Sequence, residues 1–132
     1  MPVARTYLPL TAVALDALAT GGETPGGLVG IAVAPGTDEV GEHGAWLSAA
    51  TLARTEDGSS RRRVIAAADL DPSALDPAPE VGRGPVAVRV TATVPLRRIV
   101  AFHVDESIGG ADADLLWYDA TELPEVLALT RP

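Results

Sequence analysis

Alternation of side-chain character over nine residues constrains this chain more than any other feature in it. In "VAVRVTATV", Val86, Val88, Val90, Ala92 and Val94 form one set, and Ala87, Arg89, Thr91 and Thr93 form the other. A period of two describes a strand with one buried face. A few residues on, "IVAFHVD" repeats the pattern, with Val100, Phe102 and Val104 on one side and Ala101, His103 and Asp105 on the other. If the two strands form a hairpin, matching their apolar faces sets Val94 opposite Val100, Ala92 opposite Phe102 and Val90 opposite Val104. Thr91 then falls beside His103 and Arg89 beside Asp105. Such an exposed ion pair is worth a few tenths of a kcal/mol to about 1 kcal/mol.

The remaining segments supply strands and helices in alternation. "VARTYL" reads as a strand, and Thr11 caps a helix over "TAVALDALATGG" that Gly21 and Gly22 end, with Leu10, Ala14 and Leu18 inward. "LVGIAVA" is almost continuously apolar, as in a central strand covered on both faces. Residues Pro35 to Gly44, including His43, read as an acidic loop broken by glycines, followed by one modest helix over "AWLSAATLART". "RRRVIAAADL" is a strand, and "DLDPSALDPAPEVGRGP" a proline-rich connection with too few large apolar residues to pack. "LLWYD" closes the set of strands, and Thr121 is placed to cap a last helix with Leu123, Val126 and Leu127 facing inward. On the last strand Trp117 and Tyr118 point to opposite faces, so one belongs to the core and the other is free for a partner.

At 132 residues the chain fits one domain, since folding at this size buries roughly two-thirds of the unfolded surface. Cysteine is absent, which removes disulfides, thiolate metal sites and cysteine nucleophiles. All ten cations are arginine; with lysine, asparagine and glutamine missing, Schiff-base lysines and carboxamide oxyanion donors are removed as well. A net charge of −8 opposes binding to nucleic acid. The basic run Arg61 to Arg63 reads as a solvated strand entrance. The opening segment lacks the apolar core of a signal peptide, and no run approaches a membrane span, so a cytoplasmic protein without membrane contact is expected.

His103 and Asp105 are the weak catalytic candidates, as a base and the carboxylate that would orient it. Residues two apart on a strand lie about 7 Å apart with parallel side chains, so direct help is unfavourable. No metal site is expected: two histidines without cysteine leave carboxylates to complete a zinc shell, and Asp105, Glu106, Asp112 and Asp114 miss the twelve-residue calcium-loop pattern. No cofactor is expected either.

"YLPLT", "RRVIAAADL", "VRVTATVPLRRIVAFHVDE" and "LLWYDATELPEVL", taken in order, resemble a family of small actinobacterial proteins with a domain of unknown function. The resemblance covers most of the chain and implies no activity, cofactor or catalytic residue. Between "IAVAP" and "AATLAR" this chain carries a glycine-broken stretch where the relatives have longer acidic helices.

The expected architecture is one α+β domain: a twisted, mixed but mostly antiparallel sheet of five or six strands, with two or three helices on one face. Arg89, Thr91, Ala101, His103 and Asp105 would then occupy the less covered face. The leading functional expectation is a non-catalytic interaction or regulatory protein that binds another protein, or a second copy of itself, through Arg89, Thr91, His103 and Tyr118, with no concave pocket around His103. The alternative is a small hydrolase or isomerase that uses His103 as acid or base with Asp105 or Asp119.

Overall fold

A computed structural model describes residues 3–57, 62–105 and 115–130. They form an α+β fold of seven strands and three helices: β1 (Ala4–Pro9), α1 (Ala12–Gly21), β2 (Val29–Ala32), α2 (Glu39–Asp57), β3 (Val64–Leu70), β4 (Leu75–Asp76), β5 (Val86–Val90), β6 (Ile99–Asp105), β7 (Leu115–Asp119) and α3 (Leu123–Thr130). The strands make one sheet in the order β4-β5-β2-β1-β3-β6-β7. Every pairing between the described strands is antiparallel, so the mixed component expected from the sequence is absent from them.

Local chemistry sets the ends of the elements. The Thr11 hydroxyl accepts from the Ala14 amide at 3.1 Å, and Gly22, at φ 78, closes α1 by donating its N–H to the Leu18 carbonyl. At the other terminus the cap is Asp119 rather than Thr121. Its carboxylate accepts from the Thr121 amide at 3.0 Å while Glu122 reaches back to the Asp119 amide, a reciprocal capping box that opens a 3-10 turn leading into α3. Helix α2 begins earlier than the glycines suggest, because the Asp38 carboxylate accepts from the Gly41 amide at 2.9 Å and Glu39 and Glu42 complement the positive end of the helix. The stretch read as an acidic loop is therefore largely helical, like the longer acidic helix attributed to the relatives.

The hairpin between "VAVRVTATV" and "IVAFHVD" does not form. β5 pairs with β2 and β4, β6 pairs with β3 and β7, and three strands separate the two. The cause lies in "TATV": the strand ends at Val90, and Val94 is held by the loop after α1. The Thr24 amide donates to the Val94 carbonyl at 2.9 Å, and the Val94 amide donates to the Thr24 hydroxyl at 3.1 Å. Pro95 and a 3-10 turn over Leu96–Arg98 then carry the chain across to β6. Arg89 and Asp105 consequently do not meet. Arg89 is exposed, so Arg89→Ala is expected to shift stability by no more than about 0.5 kcal/mol in urea unfolding.

Two further departures share this origin in long-range pairing. Leu75, within the proline-rich connection, reaches the core by forming the two-residue strand β4 against Val90 and Arg89. In β6 the register slips between Ala67 and Ala68 of its partner, so Ile99 enters the core and Val100, expected beside Phe102, turns out to 40% exposure.

The link from β3 to β4 reveals the shape of the sheet. Five Cα steps, from Leu70 to Leu75, reach at most about 18 Å, whereas four strand spacings in a flat sheet span about 19 Å before any offset along the strands. The sheet must therefore curl so that the end of β3 approaches the β4 edge, and Leu70 and Leu75 do share one apolar cluster. That cluster also holds Leu8, Val90 and Phe102 from the sheet, Leu15 and Leu18 from α1, and Leu123 and Val126 from α3.

The opposite face is not left open. Tyr7, Ile65 and Ala67 alternate with the residues of the large cluster and pack under Ala45, Ala49 and Ala50 of α2. Two helices thus share one face and the third crosses the other. Alanine on both surfaces lets that third helix lie close, and Gly30 does the same within the sheet: a Cβ there would collide with the Tyr7 carbonyl oxygen and lie 2.8 Å from Leu8 Cδ2.

Candidate functional site

β6 carries His103 between Ile65 of β3 and Trp117 of β7, on the face that α2 crosses. From α2, Glu42, His43 and Trp46 project toward the same space, one helical turn bringing the first and last onto one side. The His43 and Trp46 rings stack, with centroids 5.7 Å apart and planes at 19°. Trp46 meets His103 edge to face, at 5.7 Å and 67°. Tyr7 of β1 and the exposed Trp117, with Leu115, complete an open cleft of about 370 Å³. This corrects the expectation that no concavity surrounds His103: the helix laid across β1–β3 builds a wall that the strand pattern alone does not contain.

The electrostatics are asymmetric. Arg5 donates from Nε to Asp69 at 2.7 Å, and its charge is felt by Tyr7, Glu42 and His103. Burial, then the charge of Glu42, pushes the Tyr7 phenol up from its ordinary value, with Arg5 pulling the other way. Burial, and secondarily Arg5, pulls His103 below the ordinary imidazole range, so its neutral form is favoured. Trp46 Nε1 is buried and has no hydrogen-bond partner in the structure.

The depressed His103 value makes a pH prediction. Below the unfolded value of about 6.5 the unfolded chain binds the proton more readily than the folded one. The stability tied to the neutral ring is therefore whole above that value and is lost as pH falls through the lower folded value. His103→Phe is expected to flatten the acid-side decline of the urea midpoint that remains in the parent chain between pH 7 and 5.

Asp105 is not available to His103. It is buried and held by Arg63, whose backbone amide donates to Oδ2 at 2.6 Å, Nε to Oδ2 at 3.0 Å and Nη2 to Oδ1 at 2.8 Å. Arg63 also donates from Nη1 to the Ala50 carbonyl of α2 at 3.2 Å, and Arg62 donates to the Asp105 carbonyl at 2.9 Å. The basic run read as a solvated entrance thus contributes a buried arginine, because β3 and β6 pair there and Asp105 points under the helix. Asp119 is engaged at the cap of the last helical segment. Among the described residues no group of three or more His, Asp or Glu side chains is placed to hold a metal ion. Glu106, Asp112 and Asp114 lie outside the described residues.

The other residues singled out from the sequence do not converge on His103. Arg89 shares its sheet face but sits four strands away, about 19 Å along a flat sheet. Thr91 lies in a bend and donates both its amide and its hydroxyl to the Ala74 carbonyl. Tyr118 packs half-buried against the large cluster on the opposite face, and Trp117, 61% exposed, is the ring turned outward. Glu42, His43 and Trp46 were hidden by the glycine-broken stretch. Their spacing, i, i+1 and i+4, is the signal that a helix there would bring Glu42 and Trp46 together.

A sequence profile that matches residues 4–127 decides the family. The chain belongs to a family of unknown function (DUF6912). No curated protein and no solved structure matches it. The matched residues include every described strand and most of α3, so the cleft lies within the family's own domain.

Proposed function

We propose that this chain is a non-catalytic cytoplasmic interaction protein that recognises another protein through the aromatic cleft between α2 and the β6–β7 edge. One observation carries the reading: Trp117 stands exposed over a groove that already contains Tyr7, Trp46 and two imidazoles. Aromatic anchors beside a concavity are typical of binding hot spots. Against the acid–base alternative, Asp105 and Asp119 are committed elsewhere, and the described lining offers no serine or threonine hydroxyl to activate. Among the described residues no helix is long and apolar enough to cross a membrane.

The test compares the parent chain with Trp117→Ala, whose fold is checked by its unfolding midpoint, as bait in native cell extract. A protein retained by the first and lost from the second is the expected result. If the retained proteins are identical, or if the parent chain converts an extract metabolite and His103→Ala abolishes the conversion, the reading fails. A second copy as partner would show as a dimer in sedimentation that Trp117→Ala dissociates.

A further inference from the structure

Resting on that reading, we propose that the cleft receives a cationic side chain, arginine or lysine, from an extended basic segment of the partner. Trp117, 61% exposed, presents an indole face, the ring type that attracts cations most strongly, while Trp46, stacked on His43, and the buried Tyr7 form the aromatic wall behind it. Glu42 adds a carboxylate to the same lining. The nearby cation, Arg5, is paired with Asp69 at 2.7 Å and also feels the charge of Glu42, so two carboxylates face one arginine and the balance beside the cleft is negative. His103, held neutral by burial, adds no repulsion at neutral pH. The whole chain, at −8, draws basic partners toward it and repels acidic ones.

Two features favour a peptide segment over a free amine. The groove is open rather than enclosed, which suits a side chain still attached to its backbone. Its outer wall is β7, the last strand of the sheet, whose outward backbone groups have no strand partner among the described residues. An extended segment that pairs with such an edge sends alternate side chains onto the cleft face.

The probes are three: a Val-Arg-Val-Arg-Val peptide, the same peptide with citrulline for arginine, and arginine amide. Each is titrated into the full chain at neutral pH, with the two indole N–H resonances observed by NMR. The arginine peptide is expected to shift the Trp117 resonance saturably and to bind about tenfold more tightly than its citrulline counterpart. Glu42→Gln is expected to erase most of that difference, with its unfolding midpoint showing an intact fold, and added salt should weaken only the arginine peptide.

Equal binding of the citrulline peptide, or an unchanged Glu42→Gln affinity, overturns the cationic side chain while leaving the cleft as a protein-binding site. Arginine amide binding as tightly as the peptide overturns the extended segment. If no probe moves either indole while Trp117→Ala still loses the extract partner, the cation inference fails and the interaction reading stands. If the extract partner also persists with Trp117→Ala, both fail.

Discussion

Asp105→Ala is expected to remove about 3–5 kcal/mol of stability, read as a fall in the urea midpoint at unchanged slope. The carboxylate, 1% exposed, accepts from the backbone amide, Nε and Nη2 of Arg63, whose own side chain is 8% exposed. Deleting it strands a guanidinium beneath α2 with only the Ala50 carbonyl, among the described residues, to accept from it. Taking both charges away is a different experiment. Arg63→Met combined with Asp105→Ala should recover much of the loss, because the uncompensated charge is gone. Recovery should stop short of complete, since the Arg63 amide and the Ala50 carbonyl each lose a partner. A single-site loss below about 1 kcal/mol would show that the pair is solvated and that α2 is not anchored there.

Phe102→Ala should be of similar size, about 3–5 kcal/mol, and toward the upper end of that range. Phe102 is the only phenylalanine in the chain and is fully buried. Its cross-strand neighbours are Ala66 and Tyr118, and Ala68 and Ala14 belong to the same cluster. The cost of a truncation depends on how far the surroundings can collapse, and alanine has no side chain to swing into the gap. Phe102→Leu, which keeps most of the volume, should lose well under half as much. Thermal or urea unfolding of the two variants side by side measures the difference, and equal losses would mean that the site relaxes freely.

Part of the local chemistry was readable in the chain, although the Asp119 cap and the Asp38–Gly41 contact that starts α2 were not. Thr11 and Gly22 bound the first helix, period-two patterns marked β5 and β6, and the inward set Leu123, Val126 and Leu127 lay where the spacing put it. The α+β character was legible too. Much of what could not be read was decided by residues far apart. Arg63 and Asp105 are forty-two positions apart, and only the pairing of β3 with β6 brings them together. The expected hairpin satisfied every pairwise preference on both faces. It lost because Thr24 held Val94 instead, a contact seventy positions long. The cleft failed to appear for a third reason. Gly41 and Gly44 read as helix breakers, whereas Gly41 sits in the first turn of α2, its amide held by the Asp38 carboxylate and its missing Cβ leaving room for the Thr37 methyl.

The placement of β1 bears on how the chain is made. It lies in the middle of the sheet, flanked by β2 and β3, yet β3 starts only at Val64. During synthesis the fifty-odd residues after β1 take roughly 3–10 s to emerge, and over that interval one edge of the strand, with its backbone N–H and C=O groups, waits without its neighbour. Refolding from denaturant offers every described strand at once. The two routes should therefore differ in yield under crowded conditions, with the nascent chain depending on a holding factor that the diluted, full-length chain can do without.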